Sequence, residues 1–238
     1  MILAAGRGER MRPLTDALPK PLVVVRGAPL IVHHIEALVA IGVRRIVINL
    51  SYRAQALREA LGDGTRFGCE IVYSVEAEPL ESGGGVATAS AHFRTSSVIL
   101  VSADIHSDFD YAHLLPAAQA IENGAARAHF VLVPPTPGEP GGEFALTQDA
   151  VPPGFAPGSG RVHEGEPRRT LANIAVLSSA TCRAWPRGTR FRLLPHYREW
   201  VAAGVVSGTV HRGLWRNVTT IADVHALNGE HEPGTRID

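Results

Sequence analysis

Only two cysteines, Cys69 and Cys182, occur in 238 residues. They lie far apart, match no metal-ligand spacing, and are too few to staple a secreted scaffold of this size, so a reducing cytoplasm is the expected compartment. Net charge is missing too. Lys plus Arg and Asp plus Glu number 23 each, which leaves no overall basic field to gather nucleic acid or an anionic membrane surface. An anionic ligand must then be held by a local site. Long apolar runs are also lacking: none reaches the roughly 18 residues that span a bilayer. The opening MILAAGRGER turns polar after five residues, so neither a targeting segment nor a transmembrane segment is expected. No internal repeat is visible.

What is present is 45% hydrophobic residues and ordinary charge content, enough for one large α/β domain, expected over residues 1–229. The first half alternates short β-rich runs with amphipathic stretches, the pattern of a mostly parallel sheet flanked by helices. Strands are predicted at 1–4, 45–50, 70–74 and 98–102, and helices at 29–42, 53–61, 84–92 and 111–123. The 29–42 stretch, PLIVHHIEALVAIG, carries Pro at its first turn and Gly at its end, the polarity of helix boundaries. Residues 134–167 concentrate proline and glycine and read as an irregular excursion over the sheet edge, with strand character only at 143–147 and 160–163. The chain then returns through a strand at 171–177, a helix at 193–203, a strand at 205–211 and a helix at 221–228. Residues 230–238 read as a loose tail.

The first predicted strand runs into LAAGRGERMRPL, a glycine loop dense in arginine. Gly6 and Gly8 permit close approach and positive φ, so backbone N–H groups can turn toward phosphate oxygens. The dinucleotide fingerprint wants Gly or Ala where Met11 stands, and the nucleoside-triphosphatase loop wants Gly-Lys-Ser or Gly-Lys-Thr. Neither pattern is satisfied. A GxG pair alone also suits an ordinary tight turn. Beyond it, PKPL fixes the backbone on both sides of Lys20, so the ammonium can be aimed with little loss of entropy. Arg10, Arg12 and Lys20 together could neutralise a triphosphate.

Two further places carry chemistry. EAEPLESGGGV (76–86) joins a strand to a helix with three consecutive glycines. It suits a flexible loop capped by Ser82, or a backbone lying flat against a base or sugar. VILVSAD (98–104) ends a buried strand in Asp104, and open α/β sheets bind ligands at the carboxyl ends of their strands. An Asp there also suits a helix cap or turn. His106, Asp108 and Asp110 match neither zinc nor EF-hand spacing and read as loop residues. His33 and His34 read as helix-surface or packing residues.

The loop and PKPL together resemble the signature of the sugar-1-phosphate nucleotidyltransferases. EPLESGGG is especially similar to the bacterial N-acetylmuramate alpha-1-phosphate uridylyltransferases. The resemblance implies a Rossmann-like, mostly parallel mixed sheet and transfer of a nucleotidyl group from a nucleoside triphosphate, UTP foremost, to a sugar 1-phosphate. It implies that Arg10 and Lys20 hold the triphosphate, and that Ala4, Ala5, Gly6, Gly8, Glu81 and Gly83 meet the nucleotide. Asp104 would bind Mg²⁺. WRNVTTIADV resembles the family's Trp-x-Asp-Val-Gly-Thr, with Asn217 where the second metal-binding Asp stands and Thr219 in place of glycine. An amide oxygen can coordinate a hard cation, though without charge; an Asn that caps a turn is the other reading. Asn173 and Arg192 would meet the sugar and its phosphate. Guanylyl transfer to mannose or heptose phosphate, and a nucleotide-binding regulator that has lost turnover, are the alternatives. A monomer or small homo-oligomer is expected.

Overall fold

The structure, a computed structural model, describes residues 1–135, 142–149 and 152–229; the predicted tail at 230–238 lies outside them. Among the described residues thirteen strands follow in chain order: β1 (Ile2–Leu3), β2 (Val24–Val25), β3 (Ala28–Pro29), β4 (Arg45–Leu50), β5 (Glu70–Val75), β6 (Ser97–Ser102), β7 (Ile105–Ser107), β8 (Ala128–Val133), β9 (Ala145–Thr147), β10 (Gly160–His163), β11 (Thr170–Ser178), β12 (Val206–Val210) and β13 (Trp215–Asn217). The helices are α1 (Leu14–Ala17), α2 (Leu30–Ala40), α3 (Ala54–Leu61), α4 (Glu81–Ala89), α5 (Leu115–Glu122), α6 (Ser179–Ala184), α7 (Leu193–Ala202) and α8 (Ile221–Asn228).

Nine strands form one mixed sheet in the order β5-β4-β1-β6-β11-β8-β12-β10-β9. β5, β4, β1 and β6 run parallel to one another, and β12 runs parallel to β8. β11 enters antiparallel between β6 and β8, and β10 and β9 close the far edge antiparallel. The sheet is therefore the helix-flanked α/β type expected, with an antiparallel margin.

Side-chain alternation along the strands splits the interior in two. Val101, Val131, Ile174 and Val176 face a layer with Ile31, Ile35, Leu57 and Ile121 from α2, α3 and α5. Leu100, Phe130, Leu132, Ala175 and Leu177 face Val86, Cys182, Tyr197 and Trp200 from α4, α6 and α7. Strands covered on both faces lose polar alternation. That explains why β8, buried at every residue, has no sequence signature and was not expected.

Among the described residues of 134–167, β9 and β10 stand where strand character was expected. β10 pairs with both β12 and β9, so this part of the chain extends the central sheet. α4 starts at Glu81, three residues before its predicted start, and the cap proposed for Ser82 is not made. Ser82 Oγ instead accepts the Leu193 N–H at 3.1 Å, serving the first turn of α7.

Candidate active site

Three parallel strands, β1, β4 and β6, deliver their carboxyl ends to a cleft of about 1170 Å³. Its floor is knitted by a buried network. Ala4 N–H donates to Asn49 Oδ1 at 2.9 Å, and Asn49 Nδ2 donates to Glu76 Oε1 at 2.7 Å. Glu76 Oε2 accepts the Leu80 N–H at 2.9 Å. One Asn and one Glu thus tie the loop after β1 to the entry of α4. Gly85 sits over the pair, where a Cβ would fall 2.7 Å from Asn49 Nδ2 and 2.8 Å from Glu76 Oε1.

The loop after β1 lines the cleft through Ala4, Ala5, Gly6, Gly8 and Arg10. Gly8 is left-handed at φ 66°, where a side chain is strained. A Cβ there would also lie 3.1 Å from Lys20 Cβ. Gly6 has open space above it. Met11, fully buried with Val23, Val25, Leu30 and Val218, anchors the loop from below. Arg12 turns away from this cleft and pairs with exposed Asp16 at 3.1 Å, so the cation trio expected for a triphosphate is reduced to Arg10 and Lys20.

Lys20 is only 8% exposed and reaches Asp104, its Nζ 2.9 Å from Oδ2. Two residues 84 positions apart in the chain thus share one ion pair. Asp104 follows β6, and its carbonyl accepts the Val218 N–H at 2.9 Å. β13 pairs with β7 so that Asn217 stands opposite Ile105. Asn217 Oδ1 is buried and has no hydrogen-bond partner. A buried acceptor left unmade costs about 1–3 kcal/mol, and this one belongs to the residue just before Val218, whose N–H bonds the Asp104 carbonyl. Among the described residues no group of three or more His, Cys, Asp or Glu is gathered for a metal.

Thr219, the departure from glycine, also lines the cleft. Its N–H and Oγ1 reach Asp223 Oδ2 at 2.9 and 3.2 Å, in a capping box with Thr220 at the start of α8. Burial works to raise the Asp223 carboxyl, but the hydrogen bonds from Thr219 and Thr220 outweigh it and hold the group below its ordinary range.

A second cavity of about 390 Å³ shares Leu3, Ser82 and Ser102 with the cleft, so the two adjoin. Asn173, Asn217, Glu143 and Trp215 line it. Asn173 sits where β11 slips register against β8, at φ 56°, a region Asn tolerates better than most residues. Two site assignments differ from expectation. Arg192 lines neither cavity; its Nε lies 3.5 Å from Glu81 Oε2. Gly83 also lines neither, because Phe191 covers it: a Cβ would meet the ring at 2.3 Å, and the Gly83 N–H already donates to the Phe191 carbonyl. The triple glycine accommodates protein, where a base or sugar was expected.

Sequence reading missed Arg7, Tyr52, Arg53 and Arg190, all of which line the cleft. Arg53 caps α3 at φ 51° and hydrogen-bonds the Asp16 carbonyl. Of the four described non-glycine residues with positive φ, Arg53 and Glu81 line the cleft and Asn173 the second cavity. Backbone strain concentrated at cavities marks functional positions. His34, near Asp104, is held by structural contacts. His34 Nδ1 meets Tyr111 Oη at 2.8 Å and its Nε2 meets the Ile105 carbonyl at 2.9 Å. Burial pushes His34 down to about 4.

Comparison with known proteins fits this geometry. A family model described as nucleotidyl transferase matches residues 1–141. The chain is 37% identical, over 96% of its length and 97% of the relative's, to an N-acetylmuramate alpha-1-phosphate uridylyltransferase of Neisseria meningitidis serogroup B. It is 33% identical to a mannose-1-phosphate guanylyltransferase of Mycobacterium tuberculosis, over 48% of this chain and 32% of that protein. Among solved structures, a putative glucose-1-phosphate thymidylyltransferase from Bacillus anthracis superposes with a TM-score of 0.77 at 19% identity, covering 96% of this chain and 92% of that one. HddC from Yersinia pseudotuberculosis superposes with a TM-score of 0.71 at 22% identity, covering 96% of each.

Proposed function

The chain belongs to the nucleotidyl transferase family, and from that premise we propose that it transfers the uridylyl group of UTP to N-acetylmuramic acid 1-phosphate, releasing pyrophosphate. The observation that carries both base and acceptor is the 37% identity to the meningococcal uridylyltransferase across 96% of the chain. The guanylyltransferase relatives favour a second reading, GTP with a mannose or heptose phosphate, but that likeness stops at about half of this chain. The proposed product belongs to cell-wall precursor recycling in the cytoplasm. No helix among the described residues is long and apolar enough to cross a membrane.

The chemistry needs little from a general base. A phosphate monoester has its second pKa near about 6 and is largely dianionic at neutral pH. Its oxygen attacks the α-phosphorus, a new P–O bond forms as the bond to the β-phosphate oxygen breaks, and pyrophosphate leaves with the electron pair. Catalysis then rests on alignment and charge neutralisation. Arg10 and Lys20 hold the triphosphate and stabilise the departing pyrophosphate, while the backbone at Ala4, Ala5, Gly6 and Gly8 supports the nucleotide. Asn173 meets the sugar in the adjoining cavity.

The chemistry of the donors at Asp104 and Asn217, a carboxylate and a buried amide oxygen that lacks a partner, would suit Mg²⁺, with substrate phosphates supplying the remaining hard ligands. Bound there, the ion adds neutralising charge at the phosphates. Lys20 and Asp104 neutralise one another at 2.9 Å; in the loaded site Lys20 would turn to the triphosphate and Asp104 would be left to hold the cation. The variants Lys20→Ala and Asp104→Ala test the assignment through steady-state turnover. Each is expected to lose about 100-fold or more, as for loss of one preorganised charge. Near-normal turnover in either would remove that residue from the mechanism.

A further inference from the structure

We propose that Glu81 and Arg190 act together as a base reader, selecting nucleotides whose base edge carries an N–H beside a carbonyl over those carrying an amino group. The proposal rests on the reading of the cleft as a nucleotide site, with the triphosphate at Arg10 and Lys20 and the base toward Glu81.

Both side chains line the cleft and pair at 2.9 Å between Arg190 Nη2 and Glu81 Oε1. Arg192 adds a second contact, its Nε 3.5 Å from the other carboxylate oxygen. The pairing depends on a docking arrangement that spans the chain. The Phe191 carbonyl accepts the N–H groups of Gly83 and Gly84 at 2.9 and 3.2 Å, and the Phe191 N–H donates to the Leu80 carbonyl at 3.2 Å. Gly188 N–H donates to Thr88 Oγ1 at 3.0 Å. A Cβ on Gly84 would fall 2.1 Å from the Thr189 carbonyl oxygen. The glycine run therefore seats the segment that presents Arg190, and Glu81 accepts a left-handed φ of 62° at the same junction.

The pair leaves bonding capacity in reserve. A guanidinium has five N–H donors and a carboxylate about four acceptor positions, and each has given only one or two to its neighbour. In the proposed reading the pair, both of whose side chains line the cleft, offers a base an acceptor from Glu81 beside a donor from Arg190. Uracil and thymine answer with N3–H and O4, guanine with N1–H and O6. Cytosine would set a bare N3 against the carboxylate and an amino group against the guanidinium, and adenine would do the same with N1 and N6. Both contacts then pair like with like, which is how a polar site rejects the wrong partner.

Calorimetric titration of the full chain with UTP, dTTP, GTP, CTP and ATP in Mg²⁺ tests the proposal, alongside Glu81→Gln and Arg190→Gln. Arg190 has 70% of its side chain exposed, so its variant is expected to keep the melting temperature of the parent. The parent should favour UTP, dTTP and GTP over CTP and ATP by about tenfold or more, the scale of one well-made bidentate base contact. Either variant should lose most of that ratio while still binding triphosphate. Unchanged ratios in both variants, or a parent that binds CTP and ATP as tightly as UTP, would overturn the proposal. Pyrophosphate release by the same samples separates the two readings. A parent that turns over while its variants keep their ratios leaves transfer standing without the reader. A parent that discriminates through the pair but releases no pyrophosphate keeps the reader and removes the transfer.

Discussion

Replacing His129 should flatten the acid sensitivity of the fold. This histidine lies in β8 at the centre of the sheet, 1% exposed, with Nδ1 2.9 Å from Ser207 Oγ and Nε2 3.3 Å from Thr209 Oγ1. Burial pushes it down to about 4, whereas an unfolded histidine titrates near about 6.5. Between those values the unfolded chain binds more protons, so the neutral ring contributes stability that is complete above pH 6.5 and is lost as pH falls toward 4. Integrated from pH 7 to pH 5, the linkage amounts to about 2 kcal/mol, a sizeable share of the roughly 5–15 kcal/mol that holds a domain together. Urea unfolding of the parent and of His129→Gln at the two pH values measures it, because carboxylates and His34 contribute equally to both proteins. The parent should lose about 2 kcal/mol more than the variant over that interval. Parallel losses would refute the assignment of a buried neutral ring.

Three further outcomes follow from the geometry. Gly84→Ala drives a methyl group into the Thr189 carbonyl and should cost about 1–3 kcal/mol in denaturant unfolding; a change within 0.5 kcal/mol, the range of an ordinary surface substitution, would contradict the docking. Gly6→Ala meets nothing within 4 Å, so stability should hold while KM for the nucleotide rises severalfold; an unchanged KM would detach Gly6 from the ligand. Asn217→Asp restores a second carboxylate beside Asp104, and the Mg²⁺ concentration giving half-maximal turnover should fall severalfold. An unaltered Mg²⁺ dependence would place Asn217 away from the ion.

The parts of the site legible in the sequence were those whose meaning is local. Gly8 and PKPL announce a constrained loop because their neighbours in the chain are also their neighbours in space. The ends of β1 and β6 could be placed because parallel strands follow from alternating elements, and that placed Asp104. Pairings across long separations left no local trace. Glu81 reaches Arg190 over 109 positions, so the triple glycine looked like a ligand platform and Arg192 like a free cation. Glu143 reaches the second cavity and donates no motif; its Oε2 accepts the Leu171 N–H at 2.9 Å, a contact over 28 positions, although the strand character expected at 143–147 and 160–163 does appear as β9 and β10. β8 escaped notice for the opposite reason, since burial on both faces erases the polar alternation that identifies a strand.

Pyrophosphate release is the most direct measure of nucleotidyl transfer by this chain. The purified chain is incubated with Mg²⁺, each of the nucleoside triphosphates, and N-acetylmuramic acid 1-phosphate or mannose 1-phosphate, with Lys20→Ala as the control. The predicted result is stoichiometric pyrophosphate and UDP-linked sugar from UTP with N-acetylmuramic acid 1-phosphate, abolished in the control. Release with GTP and mannose 1-phosphate alone would contradict the proposed substrates. Tight triphosphate binding with no release from any pair would contradict the claim that this cleft performs the transfer.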